Sequence, residues 1–102
     1  MSKFIAQREL LYSAKSQGER RKFVVGISAP YLVKEGSVKF KFDPGATACR
    51  IEFEGLPEEA IEVVGADSLQ AVQLASNIDP YIKGLEKRYD VYWPTGEPYF
   101  EV

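Results

Sequence analysis

The feature that most constrains this chain is alternation of apolar and polar residues in three separate stretches. Over residues 21–29, Phe23, Val25, Ile27 and Ala29 share one parity, while Lys22, Gly26 and Ser28 share the other. Over residues 37–43, Val38, Phe40 and Phe42 alternate with Ser37, Lys39 and Lys41. Over residues 48–54, Cys49, Ile51 and Phe53 alternate with Arg50, Glu52 and Glu54. A strand sends successive side chains to opposite faces, so this period of two predicts antiparallel strands with one face in a core and the other in solvent. A first strand is expected over residues 3–13, with Phe4, Ala6, Leu10 and Tyr12 inward and Arg8 interrupting that face. Ile61–Gly65 reads as a short strand. Residues 90–93 and 98–101 read as two more, joined by the turn Pro94-Thr95-Gly96-Glu97-Pro98.

The period changes at Asp67. This residue has the chemistry of a helix N-cap, and Gln70 three positions later completes a capping box. Ala71, Leu74, Ile78, Ile82, Leu85 and Tyr89 then follow at steps of three and four, the spacing of one helical face. Pro80 falls in the middle, where it removes a backbone hydrogen bond at a cost of ~3 kcal/mol. Asp79-Pro80 can also open a second helix. Residues 67–88 therefore form either one kinked helix or two in succession, and the continuous stripe favours the kink. The expected architecture is α+β: a single domain with an antiparallel sheet of about five or six strands and one long, Pro-kinked helix packed on one face.

The stretches at 37–43 and 48–54, separated by Pro44-Gly45-Ala46, are expected to form a hairpin. One register sets Phe40 opposite Phe53 and Phe42 opposite Ile51. It also brings Lys39 to Glu54, Lys41 to Glu52 and Asp43 to Arg50, at ~0.2–1 kcal/mol for each pair of opposite charges. Residues 1–51 carry ten Lys and Arg against four Asp and Glu, and residues 52–102 carry three against eleven. The chain totals −2, so no global field selects nucleic acid or an anionic membrane. The hairpin pairs would neutralise part of the imbalance inside the fold.

The sequence contains no His and one Cys, Cys49. Imidazole-based acid–base chemistry, His-activated nucleophiles, intramolecular disulfides and multi-Cys zinc sites are thereby excluded. Strand parity turns Cys49 inward, as a structural thiol. No apolar run approaches the ~20 residues of a membrane span, and no signal-peptide pattern follows Met1-Ser2-Lys3-Phe4. A cytoplasmic, non-enzymatic protein without a cofactor or metal is expected.

Gly65-Ala66-Asp67-Ser68-Leu69 resembles the phosphopantetheine attachment motif of acyl and peptidyl carrier proteins, G-x-D-S-L. That likeness implies modification of Ser68, although carrier proteins are four-helix bundles and strands precede Ser68 here. A broader likeness runs through Ile5 to Leu10, Arg50 to Gly55 and Gly65 to Ala75. On these residues the chain resembles a family of small bacterial proteins of unknown function, which implies a bacterial, cytoplasmic origin and supplies no catalytic residues.

Two clusters carry the expectation of protein binding. Tyr92, Trp93 and Tyr99 belong to an aromatic-rich tail suited to a partner or a second copy. Glu58, Glu59 and Glu62 form an acidic run that could meet a basic partner, as toxin-neutralising immunity proteins do. Lys39-Phe40-Lys41-Phe42 and Arg20-Arg21-Lys22 leave nucleic-acid binding by the basic half as a further alternative. Alternation sets the Lys and Phe side chains of the first run on opposite faces, which counts against that alternative.

Overall fold

Residues 3–15, 18–33 and 46–100 are described by the computed structural model. In chain order the elements are β1 (Ala6–Ala14), β2 (Arg21–Ile27), β3 (Tyr31–Leu32), β4 (Thr47–Glu54), β5 (Ile61–Gly65), α1 (Ser68–Ser76), α2 (Asp79–Leu85) and β6 (Tyr89–Tyr92). All six strands pair antiparallel in one sheet. Of the alternating stretches, 21–29 lies in it up to Ile27 and 48–54 lies wholly within it, and Ile61–Gly65 matches its expected bounds.

Six strands make only five rows. Ile51 faces Ile27 of β2 on one side and Ile61 of β5 on the other. Ala48 faces Tyr31 of β3 and Val64 of β5. β2 and β3 therefore run along the same edge of β4. Between the Ile27–Ile51 and Tyr31–Ala48 pairs, four steps on one chain match three on the other, which is the offset of a β-bulge. Pro30 has no N–H to give this ladder. Ser28 bridges the gap: its N–H donates to the Arg50 carbonyl at 2.9 Å, and its hydroxyl accepts from the Arg50 N–H at 2.8 Å.

Across the sheet the rows are β5, β4, β2 with β3, β1 and β6. The chain leaves at one edge after β5 and returns at the opposite edge in β6. α1 and α2 make that crossing over the inner face. Leu10, Phe23, Val25, Cys49 and Ile51 of the sheet are buried there with Ile82 of α2. α1 contributes its two alanines, Ala71 and Ala75, both fully buried. The Gly65 hydrogen facing α1 leaves space that a Cβ would not, because a methyl group there would stand 2.6 Å from the Ala71 nitrogen. The expected capping box is present in modified form: the Gln70 N–H donates to Asp67 Oδ1 at 2.8 Å, while Gln70 Oε1 accepts from the Ala66 N–H at 2.6 Å.

Three expectations are corrected. The helical region is two helices and not one kinked helix, because the Pro80 ring excludes the carbonyl four residues earlier, that of Ser76, and α1 ends at Ser76. The stripe residue Leu74 is 46% exposed, and Ala75 takes the inner position instead. Phe4 does not share the Leu10 face. The Ile5 N–H bonds to the Ile27 carbonyl, β1 begins only at Ala6, and the Phe4 ring covers Gly26 on the outer face. The expected hairpin partner, residues 37–43, lies outside the described residues; on β4, Ile51 faces Ile27 and Ile61, Glu52 faces Gly26 and Glu54 faces Val24. In the tail, the described residues 98–100 give one bridge, Tyr92 to Pro98, and a hydrogen bond from the Tyr99 N–H to the Val91 carbonyl.

Candidate functional site

Arg8 occupies an inward position of β1, opposite Val25, in the row that contains Leu10. Its guanidinium donates to the Tyr99 hydroxyl at 2.6 Å, and that hydroxyl donates its own proton to Asp79 Oδ1 at 2.5 Å. The guanidinium carbon lies 5.2 Å from the Trp93 ring centre and 5.9 Å from that of Tyr99, within cation–π range. Trp93 and Tyr99 stack with ring centres 4.7 Å apart, and Phe100 meets Tyr99 edge-on at 4.8 Å. Tyr99 is buried, and burial, reinforced by its bond to Asp79, pushes its hydroxyl pKa up. The three parts converge because the turn after β6 folds back: the Trp93 N–H donates to the Glu97 carbonyl and the Gly96 N–H to the Trp93 carbonyl, with Gly96 at φ 98°.

A second surface lies between α2 and the connection from β4 to β5. It is a groove of about 590 Å³ whose apolar residues include Phe53, Ile61, Tyr81 and Leu85. Glu58 and Glu59 line it together with Lys87 and Arg88. Arg88 is bonded to Glu58, which also accepts from the Tyr89 hydroxyl at 3.3 Å. Bonding to Glu58 raises the Arg88 pKa, while burial, followed by the Glu58 charge, raises that of Tyr89. Among the described residues neither Glu59 nor Lys87 forms an ion pair, so these are the two unmatched charges of the groove. Nothing stands within 4 Å of where a Gly84 Cβ would project.

The six residues expected to contact a partner therefore do not form one surface. Trp93 and Tyr99 stand together beside Arg8. Tyr92 lies on the opposite face, where its hydroxyl is 3.2 Å from Ser13 Oγ and Arg20 covers its ring at 3.8 Å. Glu58 and Glu59 line the α2 groove. Glu62, opposite Arg50 on the outer face, accepts from the Tyr31 hydroxyl at 2.5 Å. Burial, followed by this bond, raises the Tyr31 pKa. Ser68 is exposed at the first turn of α1, within a sheet-based fold and not a helical bundle. Cys49 is fully buried, and burial raises its thiol pKa. The run Lys39-Phe40-Lys41-Phe42 lies outside the described residues.

Among the described residues, ion pairs join the basic half of the chain to the acidic half. Lys3 meets Glu52 at 3.0 Å and Glu54 at 3.5 Å, and Lys15 meets Asp90 at 2.9 Å. Within the basic half, Lys22 meets Glu9 at 2.8 Å and Arg21 meets Glu19 at 3.6 Å. Among the described residues no group of three or more Cys, Asp or Glu is placed to hold a metal ion, and no helix is long and apolar enough to cross a membrane.

Sequence reasoning identified Arg8 only as a break in an apolar row and Asp79 only as a helix cap. The signal for the first was the break in parity itself. Asp79 gave no signal of contact with the tail, because the Tyr99 bond joins elements 20 residues apart. No protein-family model, curated protein or solved structure matches the chain.

Proposed function

We propose that this protein is a non-enzymatic protein-binding module that receives a polypeptide segment in the groove beside α2. The observation that carries the reading is the construction of that groove: an apolar floor bordered by one unmatched acid, Glu59, and one unmatched base, Lys87. Buried apolar anchors supply most of the energy of such contacts, and rim charges set orientation and rate. The fitting partner is a segment with one aromatic or branched aliphatic anchor, a basic residue toward Glu59 and an acidic residue toward Lys87. An acidic rim of immunity type has less support, because Glu58 is tied to Arg88 and Glu62 to Tyr31. The pairing of Lys3, Lys15, Arg21 and Lys22 with carboxylates likewise weighs against a nucleic-acid surface in the basic half.

Selection of displayed peptides on the immobilised protein tests this reading. The expected binders carry an apolar anchor between opposite charges and lose about tenfold or more in affinity to Gly84→Trp, which fills the groove from an open position. Glu59→Lys should invert the charge preference on its side. Binders indifferent to both substitutions, or no binders, would overturn the reading.

A further inference from the structure

Pro80 ends α1 early, and the helix layer consequently leaves part of the inner sheet face uncovered. The opening is a cleft of about 210 Å³ between β1, β2 and the joint of the two helices. Ala6, Val25, Ile27 and Ile78 give it apolar walls, Gln7 and Ser76 add polar groups, and Arg8 lines it as its cation.

The state of Arg8 determines what the cleft can take. Among the described residues Arg8 forms no ion pair. It is linked to a carboxylate, Asp79, through the Tyr99 hydroxyl. That hydroxyl gives its single proton to Asp79 and accepts one of the five guanidinium N–H groups, which leaves the planar fork with donors to spare. Stacking on Trp93 and Tyr99 holds the fork in place, so little side-chain freedom remains to be lost when a ligand arrives. A preorganised guanidinium beside apolar walls matches a planar carboxylate bonded bidentately, with a hydrocarbon chain lying on the walls. The volume falls below the roughly 300–1,000 Å³ of sites for drug-sized ligands, which restricts the chain to a short one.

The geometry points to the Arg8 cleft as a binding site for a short-chain aliphatic monocarboxylate, independent of the groove beside α2. Inorganic phosphate would satisfy the guanidinium but leave the apolar walls without a partner. A neutral alcohol of equal length would do the reverse.

Titration of the ¹⁵N-labelled protein with hexanoate, hexan-1-ol and inorganic phosphate tests the assignment, with Trp93 fluorescence as a second readout. Hexanoate should shift the amides of Ala6, Val25, Ile27 and Ile78 saturably and bind at least about tenfold more tightly than hexan-1-ol or phosphate. Arg8→Gln should abolish that preference for hexanoate over hexan-1-ol. Ala6→Trp, which fills the cleft from an exposed position and leaves Arg8 in place, should abolish binding of both and decides the matter if Arg8→Gln does not fold. No saturable shift, equal binding of hexan-1-ol or phosphate, or hexanoate binding unaffected by Ala6→Trp would overturn the proposal. Because Gly84→Trp should leave hexanoate binding unchanged, failure here and failure of the groove reading are distinguishable.

Discussion

Replacing Gly65 by alanine tests how closely α1 is laid on the sheet. The added methyl would lie 2.6 Å from the Ala71 nitrogen, 2.9 Å from the Gln70 carbonyl carbon and 3.1 Å from the Ala71 Cα, where ordinary contact begins at 3.4 Å. These atoms are backbone of the first turn of α1, so no rotamer change relieves the overlap and the helix must lift. Lifting weakens the contacts of Ala71 and Ala75 with the core and strains the Asp67–Gln70 cap. Overpacking costs about 1–3 kcal/mol and a lost cap about 1 kcal/mol, which together indicate about 2–3 kcal/mol. In a domain of this length each kcal/mol moves Tm by about 4–8 °C, so the expected fall is roughly 10–20 °C. Calorimetry and urea unfolding measure it, with an unchanged m value showing that the unfolded state is the same. Two glycines serve as internal comparisons. The three atoms nearest a Gly26→Ala methyl all belong to the Phe4 ring, a side chain that can swing away, so this change should cost under about 1 kcal/mol. Gly84→Ala meets nothing and should stabilise α2 by up to about 1 kcal/mol. A Gly65→Ala protein melting within about 2 °C of wild type would refute the reasoning.

Three further outcomes are expected. Cys49 should resist thiol reagents in the native protein and react on unfolding, since it is fully buried and its pKa is raised; rapid native labelling would contradict this. Tyr31, Tyr89 and Tyr99 all have raised pKa values, so the folded state keeps protons that the unfolded chain releases near pH 10. Their contribution is complete below about pH 10 and is lost as pH rises through the higher folded values. The urea midpoint should therefore fall between about pH 9 and 11, with a shallower fall in Tyr99→Phe. Finally, the intact mass should stay unchanged after treatment with coenzyme A and a phosphopantetheinyl transferase, and a gain removed by Ser68→Ala would replace the binding reading with a carrier role.

The parts of the fold legible in the sequence are those whose local pattern and tertiary environment agree. Phe23, Val25 and Ile27 alternate because one face of β2 is core, and Asp67 and Gln70 cap α1 through bonds within four residues. The helix break was half legible: Pro80 was visible, but the stripe from Ala71 to Tyr89 suggested continuity. A periodic stripe can be satisfied by two helices that bury different residues of it. The neighbours of Ile51 were not legible, because Ile27 and Ile61 come from elsewhere in the chain and no local pattern joins them to it. The Arg8 site was illegible for the same kind of reason. Its partners Asp79, Trp93 and Tyr99 join the first strand to the last quarter of the sequence, and nothing local to any of them announces the others.

The return of the chain to the edge beside β1 has a consequence for synthesis. Leu11, Tyr12, Ser13 and Ala14 pair with Tyr92, Val91, Asp90 and Tyr89, the last strand of the sheet to leave the ribosome. At about 5–20 residues per second, β1 waits roughly 4–15 s for that partner. During this interval the nascent chain presents an unpaired strand edge flanked by apolar side chains, a template for mispairing with neighbouring chains. Chaperone dependence should therefore be set by the interval between translation of β1 and of β6, and slowing translation within the α1–α2 region should lengthen the exposure without changing any contact in the finished protein.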